Sequence, residues 1–139
     1  MNELNTSHAL KSTPPRAILP VLQKLKTSYL LWHSYHQTLP KDQRYSLGQR
    51  IDSLFIEAIE SVAIAAFLSQ TEKPPYVRLA IRKVDTLKIL LMILWETKSI
   101  DDKKYIVLSE HLNEIGKMLG GWIGQLQKQN SPDKKSREK

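Results

Sequence analysis

Seven apolar or aromatic residues, Tyr105, Leu108, Leu112, Ile115, Leu119, Trp122 and Leu126, recur in unbroken steps of three and four near the end of the chain. That spacing keeps all of them on one side of an α-helix and would scatter them over both faces of a strand. The same alternation runs through Ile18, Leu22, Leu25, Tyr29, Trp32, His36 and Leu39, and again through Leu47, Ile51, Leu54, Ala58, Val62 and Ala65. A further set is Val77, Ala80, Ile81, Val84, Leu87, Leu91 and Leu94. Nothing reads as a strand. Four helices with one apolar stripe each can bury those stripes only against one another. The expected fold is all-α, an up-down-up-down antiparallel four-helix bundle.

Breaks between the periodic segments set the boundaries. Pro20 is tolerated in the first turn of the first helix, and Leu39-Pro40 ends it, because a residue before proline is pushed out of the α region. The second pattern fades near Gln70, and Thr71-Glu-Lys-Pro74-Pro75 separates it from a third helix opened by proline. Ser99-Ile-Asp101-Asp102 supplies capping oxygens and negative charge to the start of the fourth helix, which runs to about Gln129. Residues 1–15 and 130–139 are polar and charged with little to bury, so they are expected to be a disordered extension and a disordered basic tail around a single domain, 16–129.

Composition narrows the classes of function. With no cysteine, disulfides, thiolate zinc sites and cysteine nucleophiles are excluded. The beginning, Met1 to His8, lacks the basic-then-apolar order of a signal peptide. The uninterrupted apolar runs Val62–Leu68 and Ile89–Trp95 are seven residues each, against the roughly 18 to 20 a membrane span requires. A cytoplasmic protein without membrane contact is expected. The net charge of +7, with a pI near 9.6, calls for an anionic partner. Residues 16–50 carry Arg16, Lys24, Lys26, Lys41, Arg44 and Arg50 against only Asp42, and residues 73–88 carry Lys73, Arg78, Arg82, Lys83 and Lys88 against only Asp85.

Arg78 and Arg82 lie one helical turn apart on the side away from Val84 and Leu87, with Lys83 on the flank. Guanidinium groups so placed can meet successive phosphates. Arg44 and Arg50 at the start of the second helix, and Lys24 and Lys26 in the first, extend the candidate nucleic-acid surface. The plainer alternative is a solvated face with Arg82 paired to Asp85. His33 with His36, and His111 with Glu114, are spaced for a shared metal, but the inward glutamates of a di-metal bundle are missing; no metal or other cofactor is expected. His36 is better placed to donate to a carbonyl near its helix end. There is no carboxylate pair, phosphate loop or nucleophile with an evident base, so no catalysis is expected. Trp32, Trp95 and Trp122 sit on or beside apolar stripes, where packing is the simpler role than base stacking.

Two features exceed the needs of one bundle. Ile89, Met92 and Ile93, with Met118 and Trp122, add apolar surface beyond a single interior, as a subunit interface would. Four of the five glycines, Gly116, Gly120, Gly121 and Gly124, fall within nine residues of the fourth helix. At about 1 kcal/mol each they forgo roughly 3 to 4 kcal/mol of helix propensity. Gly116, Gly120 and Gly124 form a smooth ridge suited to close helix approach, most simply by a neighbouring subunit. Gly121 faces nearly away from that ridge and invites a partner's contact.

Leu39-Pro-Lys-Asp-Gln-Arg-Tyr45-Ser-Leu-Gly48, Lys104-Tyr105 and Glu114-Ile-Gly-Lys-Met-Leu-Gly-Gly-Trp122 together resemble the accessory variability determinant family of diversity-generating retroelements. That family is related to the four-helix intervening-sequence proteins of ribosomal RNA. The resemblance spans about residues 20–127. It implies a non-enzymatic bacterial or phage-encoded protein, assembled as a barrel-shaped homopentamer, which binds template RNA or its DNA copy and a reverse transcriptase during mutagenic reverse transcription. It places Arg78 and Arg82 among the basic positions used for the polymerase. The alternative is an intervening-sequence-type interaction protein with no reverse transcriptase.

Overall fold

The computed structural model describes residues 18–131. The expected N-terminal extension lies outside them. So does the C-terminal tail apart from Asn130 and Ser131, and Asn130 there donates from Nδ2 to the Gln70 carbonyl at 2.9 Å.

The described chain holds five helices and no strand: α1 Ile18–His36, α2 Lys41–Arg44, α3 Leu47–Ala66, α4 Pro74–Glu96 and α5 Asp102–Gln129. The four long ones form an antiparallel bundle in which α3 packs between α1 and α4, and α5 between α4 and α1. Tyr29 meets Phe55 while Trp32 reaches back to Asp52, so α1 and α3 run in opposite directions. Leu25, Trp32, Phe55, Leu87, Leu94, Leu108 and Ile115 are fully buried. No described helix is long and apolar enough to cross a membrane.

Three details differ from the sequence reading. Val21, Leu25, Ser28 and Trp32 line the buried side of α1, whereas Leu22, Tyr29 and His36 are only half-buried. A helix wedged between two neighbours turns toward both, so some of its stripe lies on the flanks. The short α2 was not expected. And α3 stops at Ala66 rather than near Gln70, because Lys73, only 4 % exposed, donates from Nζ to the carbonyls of Ala65 at 2.7 Å and Ala66 at 3.3 Å. A cation there satisfies last-turn carbonyls and complements the helix dipole. Burial pushes its ammonium pKa down from the usual lysine value. At the start of α5, Asp101 accepts the Lys104 backbone N–H at 2.8 Å, the cap that Ser99–Asp102 foreshadows.

Candidate nucleic-acid interface

The outward side of α4 carries Arg78, Arg82, Thr86, Ile89 and Ile93, all exposed, in steps of four, four, three and four. One stripe therefore unites two groups that sequence reasoning kept apart: a basic half toward the α4 N-terminus and an apolar half toward its C-terminus. Asp85 does not neutralise Arg82; its carboxylate lies 3.9 Å from Lys88 Nζ. Among the described residues no carboxylate comes within ion-pair distance of Arg78, Arg82 or the exposed Lys26.

The other candidate cations are committed within the chain. Lys24 Nζ pairs with Glu114 at 3.1 Å, bridging α1 and α5. Lys83 Nζ lies 2.7 Å from one oxygen of Glu57, and Arg50 donates to the other at 3.4 Å. The Lys83 hydrogen bond is the main reason the Glu57 carboxyl is held below its usual pKa. Glu57 is the residue that sequence reasoning missed on this face. It is far in sequence from Lys83, and only the packing of α3 on α4 brings them together.

Arg44 belongs to a corner. Its Nη2 donates to the Leu39 carbonyl at 3.0 Å, its own carbonyl accepts from His36 Nε2 at 2.9 Å, and its Nε is buried with no partner. His36 stacks on Trp32 at 5.1 Å, and Trp32 Nε1 donates to Asp52 at 3.3 Å. Gly48 fits beneath this arrangement: a Cβ there would meet Gln43 O and Leu39 Cδ1 at 2.9 Å and His36 Cδ2 at 3.0 Å. It is the glycine outside the cluster, and the one whose lack of a side chain the backbone path requires.

The glycine cluster is open. A Cβ at Gly120, Gly121 or Gly124 would meet nothing within 4 Å, and one at Gly116 would meet only the flexible end of Lys88. Among the described residues, the ridge thus meets only the Lys88 side chain of α4, at Gly116, and is uncovered at Gly120 and Gly124. Ile89 is 56 % exposed, and Met92 and Ile93 are exposed beside it, while Met118 and Trp122 are half-buried against the core.

A hydroxyl–imidazole contact that spacing does not reveal joins α1 to α5, with Ser28 Oγ 3.0 Å from His111 Nδ1. Ser28 is fully buried and donates to the Lys24 carbonyl at 2.7 Å, so it accepts from the imidazole and has no proton to surrender to it. Burial first, and then nearby Lys24, lower the His111 pKa. The contact is an interhelical strut. Among the described residues, no three histidines and carboxylates gather as a metal site would require.

No protein-family model and no curated protein matches the chain. It is similar to a solved structure, a protein of unknown function from the S23 ribosomal protein family of Bacteroides thetaiotaomicron VPI-5482. The TM-score is 0.72 at 16 % identity, covering 78 % of this chain and 98 % of that one. At that identity the likeness is one of fold.

Proposed function

We propose that the chain is a non-enzymatic accessory protein of a diversity-generating retroelement, a ring-forming bundle that binds nucleic acid and a reverse transcriptase. The observation that carries this reading is the α4 stripe, where no carboxylate of the described residues comes within ion-pair distance of Arg78 or Arg82 and the same helix goes on to the exposed Ile89, Met92 and Ile93. Guanidinium groups without an internal partner suit phosphates or acidic side chains, whereas the apolar half asks for protein. In a homopentamer the apolar half of the stripe and, separately, the glycine ridge of α5 would face other subunits, and the arginines would repeat around the axis. The S23-type fold accords with this, because the family resembled is related to four-helix proteins of that kind.

Light scattering of the purified protein should give a pentamer. Binding to single-stranded RNA or DNA should weaken steeply with salt, and Arg78→Ala with Arg82→Ala should flatten the log-log slope by about 1.4 if each meets one phosphate. The same double variant should fail to retain the reverse transcriptase while its melting curve is unchanged. A monomer indifferent to nucleic acid would sink the proposal. The fold likeness equally favours the second reading, an intervening-sequence-type interaction protein. A gene neighbourhood without a reverse transcriptase or template repeat, and a native pull-down that retrieves neither, would select it.

A further inference from the structure

Where α4 turns into α5, the end of the bundle carries a solvent-open cavity of about 700 Å³, lined among others by Trp95, Lys98, Asp101, Asp102, Lys103 and Lys104. That volume is within the roughly 300 to 1,000 Å³ of small-molecule sites. Its aromatic wall is held in place: Trp95 stacks on Tyr105 with centroids 4.7 Å apart and planes 9° from parallel, and its Nε1 donates to Asp102 Oδ1 at 2.7 Å. Even so, Trp95 remains 36 % exposed. An indole fixed by one face and one edge, with ring surface left over, is a preorganised stacking platform.

The charges around the cavity are unevenly committed. Each aspartate already accepts a hydrogen bond, Asp101 from the Lys104 N–H and Asp102 from the indole. The Lys104 ammonium lies over the Tyr35 ring, 5.3 Å from its centroid. Lys98 and Lys103 have no carboxylate within ion-pair distance among the described residues. Lys98 also sits at φ 61, in the left-handed region where glycine is the usual occupant, with Ser99 N–H closing onto Leu94 O at 3.0 Å. A flat aromatic surface beside uncommitted ammonium groups matches a ligand that has both a planar ring and a phosphate.

We infer that this cavity is a nucleoside-phosphate site, with the base against Trp95 and the phosphate between Lys98 and Lys103. It is separate from the arginines of the proposed nucleic-acid face, since Trp95 is 13 residues beyond Arg82 along α4, about 20 Å at 1.5 Å per residue. The same chemistry is presented by a free mononucleotide and by one unit of a single strand.

The full-length protein is titrated with adenosine 5′-monophosphate, a short oligoadenylate and inorganic phosphate, following the Trp95 indole N–H by NMR and affinity by calorimetry. Nucleotide or oligonucleotide should shift the Trp95 signal saturably. Lys98→Gly with Lys103→Ala, and separately Trp95→Leu, should each weaken binding about tenfold or more. Glycine at position 98 suits the backbone better than lysine, so that variant keeps the fold. Arg78→Ala with Arg82→Ala should leave mononucleotide affinity unchanged, which separates this site from the function proposed above. Binding of the oligonucleotide but not the mononucleotide supports the site with a strand as its source; equal binding supports it with the free nucleotide. An unmoved Trp95 signal overturns the inference, as does inorganic phosphate binding as tightly as the nucleotide, or lysine variants that bind normally.

Discussion

Gly48→Ala tests the account of the corner most directly. On helix propensity alone the change should stabilise, by at most about 1 kcal/mol so near the start of α3. Against that, the added methyl would stand 2.9 Å from the Gln43 carbonyl oxygen, 2.9 Å from Leu39 Cδ1 and 3.0 Å from His36 Cδ2. None can retreat freely. The first is backbone, the second belongs to a side chain only 2 % exposed, and the third to a ring pinned by Trp32 and the Arg44 carbonyl. Overpacking costs about 1 to 3 kcal/mol, and with three neighbours that cannot retreat the upper part of that range, about 2 to 3 kcal/mol, applies, leaving a net loss of about 1 to 2 kcal/mol. For a domain of roughly a hundred residues that is about 4 to 8 °C in melting temperature. Circular dichroism melts at several protein concentrations would read it while controlling for assembly. A variant that melts at or above the parent temperature refutes the reasoning, since it would mean that the loop joining α1 to α3 moves aside without cost.

Other substitutions separate structural from functional cations. Arg44→Met removes the donor to Leu39 O and should cost about 1 to 3 kcal/mol in urea unfolding, yet leave nucleic-acid affinity of the folded protein unchanged. Glu57→Gln releases Lys83 and Arg50 and raises the net charge by one from +7, so binding to RNA should tighten and its salt slope steepen by up to about 0.7 per phosphate gained. Because the Glu57 carboxyl is held below its usual value, its contribution to stability is complete above the unfolded pKa of about 4.3 and fades as pH falls through the lower folded value. Acid titrations should show that loss in the parent and not in Glu57→Gln. Lys98→Gly relieves a left-handed lysine and should raise stability by about 1 kcal/mol in the same melts.

The long helices were legible because burial imposes a period and burial is what the apolar residues record. Leu25, Trp32, Leu54, Leu87 and Leu112 carry no information beyond that period, and it suffices to place them. What escaped were decisions made by single side chains across helices. Lys73 ends α3 by reaching back to Ala65 and Ala66, and nothing local distinguishes it from a surface lysine. Glu57 claims Lys83 and Arg50, turning two of seven candidate binding residues into an internal cluster. Trp95 belongs to an apolar run in sequence, but at the end of α4 it is held on one face by Tyr105 and at its edge by Asp102 of α5 and stays 36 % exposed. Periodicity reports which face a residue occupies; it is silent about partners from another helix.

That distinction also bears on the residues carrying the family resemblance. Leu39, Arg44 and Gly48 are spent on turning the chain between α1 and α3, so any bundle with this corner has use for them, whatever it binds. Gly120 and Gly121 are different. Each costs about 1 kcal/mol in a helix interior, and among the described residues neither is offset, since a Cβ would meet nothing of them within 4 Å. Gly120→Ala and Gly121→Ala should therefore each stabilise an isolated bundle by about 0.5 to 1 kcal/mol. If a neighbouring subunit seats against them, the gain should vanish at concentrations where the protein assembles, and light scattering should show the assembly weakened. Stabilisation that is the same when dilute and when concentrated, with unchanged assembly, would leave these glycines without a contact to explain them and move any subunit interface elsewhere, toward Ile89, Met92 and Ile93 alone.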